Sequence, residues 1–133
     1  MAGSNTKRRK PRRIPNPGEE SDTRCIAWYL YDKCGLTAQQ LGTLVGCSPP
    51  TIYRVMNGKT SQDGVCRHLD SIWSLLSGSS RFGDEIAAAS LEDRIRIIQR
   101  MARQTPSERI WENGLHEVAL AQLEQLRSSA PAA

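Results

Sequence analysis

The sequence has no long apolar run. No stretch of its 133 residues approaches the roughly 18 apolar residues that a membrane span requires, and its polar, arginine-rich start lacks the apolar segment of a secretory signal. We therefore expect a cytoplasmic protein that does not contact a membrane. A chain of this length can form one ordinary domain, or a small domain with a helical extension, which excludes a large enzyme.

The sequence also lacks the residue patterns that carry catalysis or metal binding. Its four cysteines include no CxxC pair, and only His68 and His116 could join them as ligands, so we expect reduced thiols and no zinc site. The segment LHEVAL lacks the second histidine of a zinc-protease helix, and neither histidine has a serine or cysteine partner that suggests a catalytic triad. We predict no catalytic residue, no cofactor and no metal, and we do not expect an enzyme.

Positive charge is concentrated in one short segment near the start of the chain. Six of the eighteen Lys and Arg residues lie there: Lys7, Arg8, Arg9, Lys10, Arg12 and Arg13. The rest of the chain carries twelve Lys and Arg against fourteen Asp and Glu. Residues 1–20 hold several prolines and almost nothing apolar, so we expect a disordered basic arm that binds DNA phosphates. A solvated tail or a localisation signal is the alternative.

Apolar residues recur at helical spacing, without strand-like alternation or repeats, so we predict an all-α fold. The first helix follows Asp22, and Thr37 with Gln40 forms a capping box for the second. Ser48 is expected to cap the third, with Pro49 in its first position. A fourth begins after Thr60. Further start signals stand at Ser90 and Thr105, and stop signals stand at Gly35, Gly46, Asn57, Gly58, Asn113 and Gly114.

Residues 77–80, Ser-Gly-Ser-Ser, are typical of a linker, so we place the main boundary near residue 80. The predicted organisation is a disordered arm over residues 1–20, a DNA-binding domain over 21–80 and a helical region over 81–133. We interpret Trp28, Trp73 and Trp111 as core residues.

The most informative stretch is LTAQQLGTLVGCSPPTIYRVMNGK, residues 36–59. A helix-turn-helix needs a small residue where its two helices touch and a glycine in the tight turn, and Gly42 and Gly46 stand at these places. Ile52 and Val55 are spaced to fix the second helix against the first and leave its opposite face, with Arg54, free for DNA. The pattern favours a helix-turn-helix in which Arg54 contacts a base or a phosphate.

The segment SPPTIYRVMNGK resembles the recognition-helix segment of the lactose-repressor family, and residues 22–33 with LTAQQL resemble the lambda-repressor-like regulators. The likeness covers under half of the chain. It implies a helix-turn-helix transcriptional regulator and places DNA contacts on the third helix. The DNA-binding candidates outside the arm are Thr37, Gln39, Ser48, Pro49, Pro50, Thr51, Tyr53, Arg54, Asn57 and Lys59.

The chain departs from these families at several positions. Ala38 stands where lambda-like regulators usually have glutamine, and Gly42 where alanine is commoner. Pro49 and Pro50 stand where phage repressors place polar base readers, and a proline cannot hydrogen-bond a base edge. Base recognition early in the helix must then be apolar, for instance against a thymine methyl, or absent, and more of the specificity falls on Arg54.

We expect a sequence-specific regulator, most simply a repressor, that binds a two-fold operator as a homodimer. Two apolar faces after residue 88 need a partner, one with Ile95, Ile98 and Met101, the other with Trp111, Leu115, Val118 and Leu123. Packing of these faces on the chain's own DNA-binding domain is the alternative.

Two other functions remain open at this point. The first is a DNA-binding adaptor (an antitoxin, or a plasmid-maintenance or replication factor) whose residues 88–128 bind another protein. The second is a helical interaction module that no longer binds DNA. The sugar-binding domain of the lactose-repressor family is absent, so no inducer is expected.

Overall fold

The computed structural model describes residues 10–59, 63–104 and 107–129, and within these ranges every regular element is helical, as predicted. The α-helices are α1 (Thr23–Asp32), α2 (Ala38–Val45), α3 (Pro49–Met56), α4 (Asp63–Leu76), α5 (Asp84–Ala88), α6 (Leu91–Gln104), α7 (Ser107–Asn113) and α8 (Leu115–Ser129). A short 3₁₀ helix, Ser80–Phe82, precedes α5.

Most of the predicted helix boundaries are confirmed. The Asp22 carboxylate accepts a hydrogen bond from the Cys25 amide at 2.8 Å at the start of α1, and the Ser90 hydroxyl accepts one from the Asp93 amide at 3.1 Å at the start of α6. The predicted break at Gly114 separates α7 from α8. The start signals at Thr60 and Thr105 lie outside the described residues.

The short helical segment from residue 80 to residue 88 was not predicted. The 3₁₀ helix and α5 together place Phe82 and Ile86 in the core. Helices of three and five residues are too short to show a 3.6-residue periodicity, so the sequence predicted no element directly after the linker at residues 77–80. This segment therefore belongs to the packed body of the protein.

A single apolar core extends across residue 80. It takes buried side chains from α1 to α4 and also from α5 to α8. Helix α6 packs against α8, α2 and α4, and α7 packs against α2. The predicted boundary near residue 80 therefore does not separate two cores.

The apolar faces after residue 88 are covered by the chain itself. Ile98, Met101, Leu115 and Leu123 are buried, and Ile95, Trp111 and Val118 are partly buried against the same core. The structure therefore shows the alternative arrangement, in which these faces pack on the body of their own chain. They do not remain open for the predicted dimer interface. Among the described residues, the large apolar side chains that remain exposed are Tyr53 and Leu91.

The expectation that residues 1–20 are disordered is corrected for residues 10–20. Ile14 packs against the core, the Trp73 indole N–H donates to the Glu19 carbonyl at 2.9 Å, and the Gly18 amide donates to the Ser77 hydroxyl at 2.8 Å. An apolar anchor and satisfied polar groups thus fix this segment on α4. Residues 1–9 lie outside the described residues.

None of the helices in the described ranges combines the length with the apolar composition that a bilayer-spanning segment requires.

Candidate nucleic-acid interface

The candidate site is built on α2, the turn after it and α3. The Thr37 hydroxyl accepts a hydrogen bond from the Gln40 amide at 3.1 Å, and the Gln40 side-chain oxygen accepts one from the Thr37 amide at 3.0 Å, so the predicted capping box is present. Gly46 ends α2 in the left-handed conformation, with φ 82°. Two further residues, Cys47 and Ser48, lead from Gly46 into α3.

Gly42, on α2, lies tightly against the backbone of the turn that leads into α3. A Cβ placed on Gly42 would collide with the Cys47 carbonyl oxygen, and the Gly42 carbonyl accepts hydrogen bonds from the Gly46 and Cys47 amides at 2.7 and 2.9 Å. The expectation of a small residue at this contact is confirmed. The close approach fixes how α3 is oriented relative to α2.

Helix α3 has one buried face and one exposed face. Ile52, Val55 and Met56 are buried, whereas Tyr53 is 38% exposed and Arg54 is exposed. The apolar stripe thus packs α3 onto the body as predicted, and a face that includes Arg54 remains open to solvent.

Ser48 does not cap α3 with its side chain, contrary to the prediction. It occupies the N-cap position, but its hydroxyl lies 3.2 Å from the Thr51 hydroxyl and forms a side-chain pair there. A capping hydroxyl accepts from the second or third helical amide, and the second residue of α3 is Pro50, which has no N–H. Pro49 stands in the first position, as predicted.

Side chains from three other helices hold the carboxyl ends of α2 and α3. The Trp28 indole and the Arg24 guanidinium donate to the Met56 carbonyl at 2.8 and 3.1 Å, and the Trp111 indole donates to the Leu44 carbonyl at 3.1 Å. The His68 ring lies 3.0 Å from the Val45 carbonyl through Nδ1 and stacks on Trp111 at 3.7 Å between centroids. These contacts satisfy carbonyls that helix ends leave unpaired, and they make the α2–α3 unit rigid.

The charge of this region is one-sided along the sequence. From residue 33 to residue 62 there is no Asp or Glu, whereas Lys33, Arg54 and Lys59 lie within the same run. The absence of acidic residues is visible in the sequence itself, but it was not among the features that predicted the interface. The surface presented by α2 and α3 is therefore suited to an anionic partner.

An open groove runs beside the α2–α3 turn. It is lined by Gln39, Gly42, Thr43, Gly46, Cys47, Ser48, Pro49 and Glu108. Three predicted site residues, Gln39, Ser48 and Pro49, therefore share one surface. Glu108, on α7, was not predicted and places one carboxylate at this groove.

The remaining predicted residues separate into two groups. Thr37, Pro50 and Lys59 are exposed on the α2–α3 unit, and Thr51 and Asn57 are partly exposed there. Arm residues Lys10 and Arg13 instead pair with Asp32 and Glu19 at 2.8 and 2.6 Å, and Arg12 is exposed. Lys7, Arg8 and Arg9 lie outside the described residues.

The ion pairs of the arm lower the pKa of both partner carboxyls, chiefly through the hydrogen bonds from Arg13 to Glu19 and from Lys10 to Asp32. Burial raises the pKa of the Cys34 thiol to about 12 and that of Cys47, in the turn, above its usual range. Both thiols are therefore protonated and weakly nucleophilic near neutral pH. Within the described ranges, no group of three or more His, Cys, Asp and Glu side chains could hold a metal ion.

Comparisons of the chain with protein-family models, with curated proteins and with solved structures found no match.

Proposed function

We propose that this protein is a sequence-specific DNA-binding regulator that inserts α3 into the major groove of duplex DNA. The observation that carries the proposal is the α2–α3 unit, in which a rigidly held helix exposes Arg54 on a surface formed by a segment without acidic residues. A helix presented in this way, across a short turn from a supporting helix, is the geometry of helix-turn-helix recognition.

Each exposed group suits a particular part of the duplex. The Arg54 guanidinium offers parallel donors that match the O6 and N7 acceptors of guanine. Lys59, just beyond α3, and Thr37 and Gln39 at the start of α2 are placed to contact the sugar-phosphate backbone, which positions the protein without reading sequence. Repression then follows simply from occupation of a promoter.

The pairing of two copies on a two-fold operator stays a prediction, and the mass of the complex with a duplex that contains two half-sites tests it. The apolar faces after residue 88, whose need for a partner favoured a homodimer, are covered within the chain. The same burial removes the feature that favoured an adaptor whose residues 88–128 bind another protein. No described feature favours the adaptor over the regulator.

The decisive experiment is selection of bound duplexes from a random library, followed by affinity measurements with the Arg54→Ala variant. We expect a defined sequence preference that contains a guanine. Arg54→Ala should weaken binding to the selected site by about 1–3 kcal/mol and remove the preference at that guanine, with no loss of fold because the side chain is exposed.

Arg103→Ala is the matched control, since it removes an exposed arginine from α6. It should leave the sequence preference unchanged. The role of Arg54 is refuted by a variant with the same selected sequence and affinity as the wild type. A full-length protein that binds no duplex even at low salt would overturn the function itself.

A complementary variant tests the electrostatics of the groove. Because Glu108 lies beside the α2–α3 turn, its carboxylate opposes an approaching phosphate, so Glu108→Gln should raise duplex affinity several-fold at low salt, with a smaller gain at high salt. Glu124→Gln removes an exposed charge from α8 and should have little effect. Equal gains for the two variants would show that only net charge matters.

A further inference from the structure

The first turn of α3 lacks two of its backbone hydrogen-bond donors. Pro49 and Pro50 occupy its first two positions and have no N–H, so two of the amides that a helix N-terminus ordinarily offers are missing. The hydroxyls of Ser48 and Thr51 lie 3.2 Å apart and pair with each other. The pair uses one of the two hydroxyl hydrogens as its donor, so beside these hydroxyls the turn offers a ligand the C–H surface of the proline rings.

The two prolines differ in exposure. Pro49 is half-buried and faces the groove beside α2, whereas Pro50 is exposed. Pro50 and Arg54 are four residues apart, so they lie on the same face of α3, one turn from each other. An apolar ring and a guanidinium thus stand side by side on the exposed face.

We propose that Pro50 recognises the C5-methyl group of a thymine next to the guanine that Arg54 contacts. This inference rests on the proposed function and adds the base read by the start of the helix. The thymine methyl is the apolar group that the major groove displays, so it is the natural partner of an exposed proline ring. A phosphate is a poor partner there, because anion binding at a helix N-terminus uses the amides that the prolines lack.

The helix geometry also gives the spacing between the two contacts. Four residues of α-helix advance about 6 Å, and successive base pairs of DNA lie about 3.4 Å apart. The thymine is therefore expected about two base pairs from the guanine. Arg54 and Pro50 together would specify a short motif, with the guanine read by hydrogen bonds and the thymine by its methyl group.

The test uses the full-length protein and the duplex obtained by selection, with each thymine replaced in turn by deoxyuridine, which removes only the methyl group. At one thymine, about two base pairs from the Arg54-dependent guanine, the affinity should fall about fourfold, as expected for removal of one buried methyl-sized group. Deoxyuridine at the other thymines should have no effect. In the Pro50→Ser variant, the difference between thymine and deoxyuridine should disappear, whereas Arg103→Ala, on α6, should keep it.

Circular dichroism establishes that each variant is folded before its affinity is compared. If a duplex is selected but no thymine is sensitive to deoxyuridine, the inference is overturned and the proposed function stands. If the sensitivity persists in folded Pro50→Ser, another group reads the methyl and the assignment to Pro50 is wrong. If no duplex is selected at all, both the inference and the proposed function fail.

Discussion

The close approach at Gly42 leads to a prediction about stability. Replacing Gly42 by Ala adds a Cβ that would collide with the Cys47 carbonyl oxygen. The obstacle is backbone, so it cannot rotate away as a flexible side chain would.

The magnitude follows from two opposed effects. Overpacking of a tight contact costs about 1–3 kcal/mol, and the upper part of this range applies because backbone must move. Alanine is favoured over glycine inside a helix by about 1 kcal/mol. We therefore expect Gly42→Ala to lower the free energy of unfolding by about 1–2 kcal/mol, which corresponds to a decrease in Tm of roughly 4–8 °C for a chain of this size.

Gly64→Ala is the matched control. Gly64 also lies in a helix, α4, but a Cβ added there meets nothing within 4 Å. Both substitutions change the unfolded chain in the same way, so the difference between the two variants isolates the contact with Cys47. Gly64→Ala should leave the free energy of unfolding unchanged or raise it by up to about 1 kcal/mol.

The assay is urea unfolding followed by circular dichroism, supported by thermal melts of the wild type and both variants. Equal m-values would show that the variants differ in stability and not in the compactness of the unfolded state. Should Gly42→Ala prove as stable as Gly64→Ala, α2 is not in the tight contact described with the turn before α3, and the orientation of α3 on which the proposed interface depends would have to be revised.

Two further predictions concern the basic arm and a buried thiol. Lys10 and Arg13 are ion-paired within the chain, so replacing both by Gln should lower the slope of log affinity against log salt by less than about 1. Gln at the four other arm cations should lower the same slope by about 3.6. Equal effects per charge would refute the distinction between ion-paired and DNA-binding arm cations. Because the folded-state pKa of Cys34 is about 12, its thiol favours the folded state below the unfolded pKa of about 8.5, and this contribution is lost as pH rises toward 12. Urea unfolding from pH 8 to pH 11 should show this decline in wild type and a weaker one in Cys34→Ala.

The elements that the sequence predicted well are those determined by local chemistry. A capping box at Thr37, a left-handed glycine at Gly46 and an apolar stripe through Ile52 and Val55 depend on residues within one or two turns of each other. The cap of α3 was the local failure. A serine before two prolines has the right residue type, but Pro50 removes one of the amides that its hydroxyl would accept from.

The packing of the C-terminal helices could not be predicted in the same way. Periodicity shows that a helix has an apolar face to bury, but not which surface will cover it. Met101 and Trp111 indicated such faces, and their partners are α2 and its neighbours, about 60 residues earlier in the chain. The same limit applies to residues 10–20, whose order depends on Trp73 and therefore on a contact more than 50 residues away.

This packing changes how operator recognition has to be organised. A stable homodimer buries an interface whose centre is largely apolar, and among the described residues Tyr53 and Leu91 are the exposed large apolar side chains. Tyr53 lies on the face proposed for DNA, which leaves little apolar surface for pairing. One α3 reads only a few base pairs, so specificity that exceeds one half-site has to come from a second copy or from the arm. Pairing is then expected as a property of the complex on DNA, with a monomeric mass for the free chain and two chains on a duplex that contains two sites.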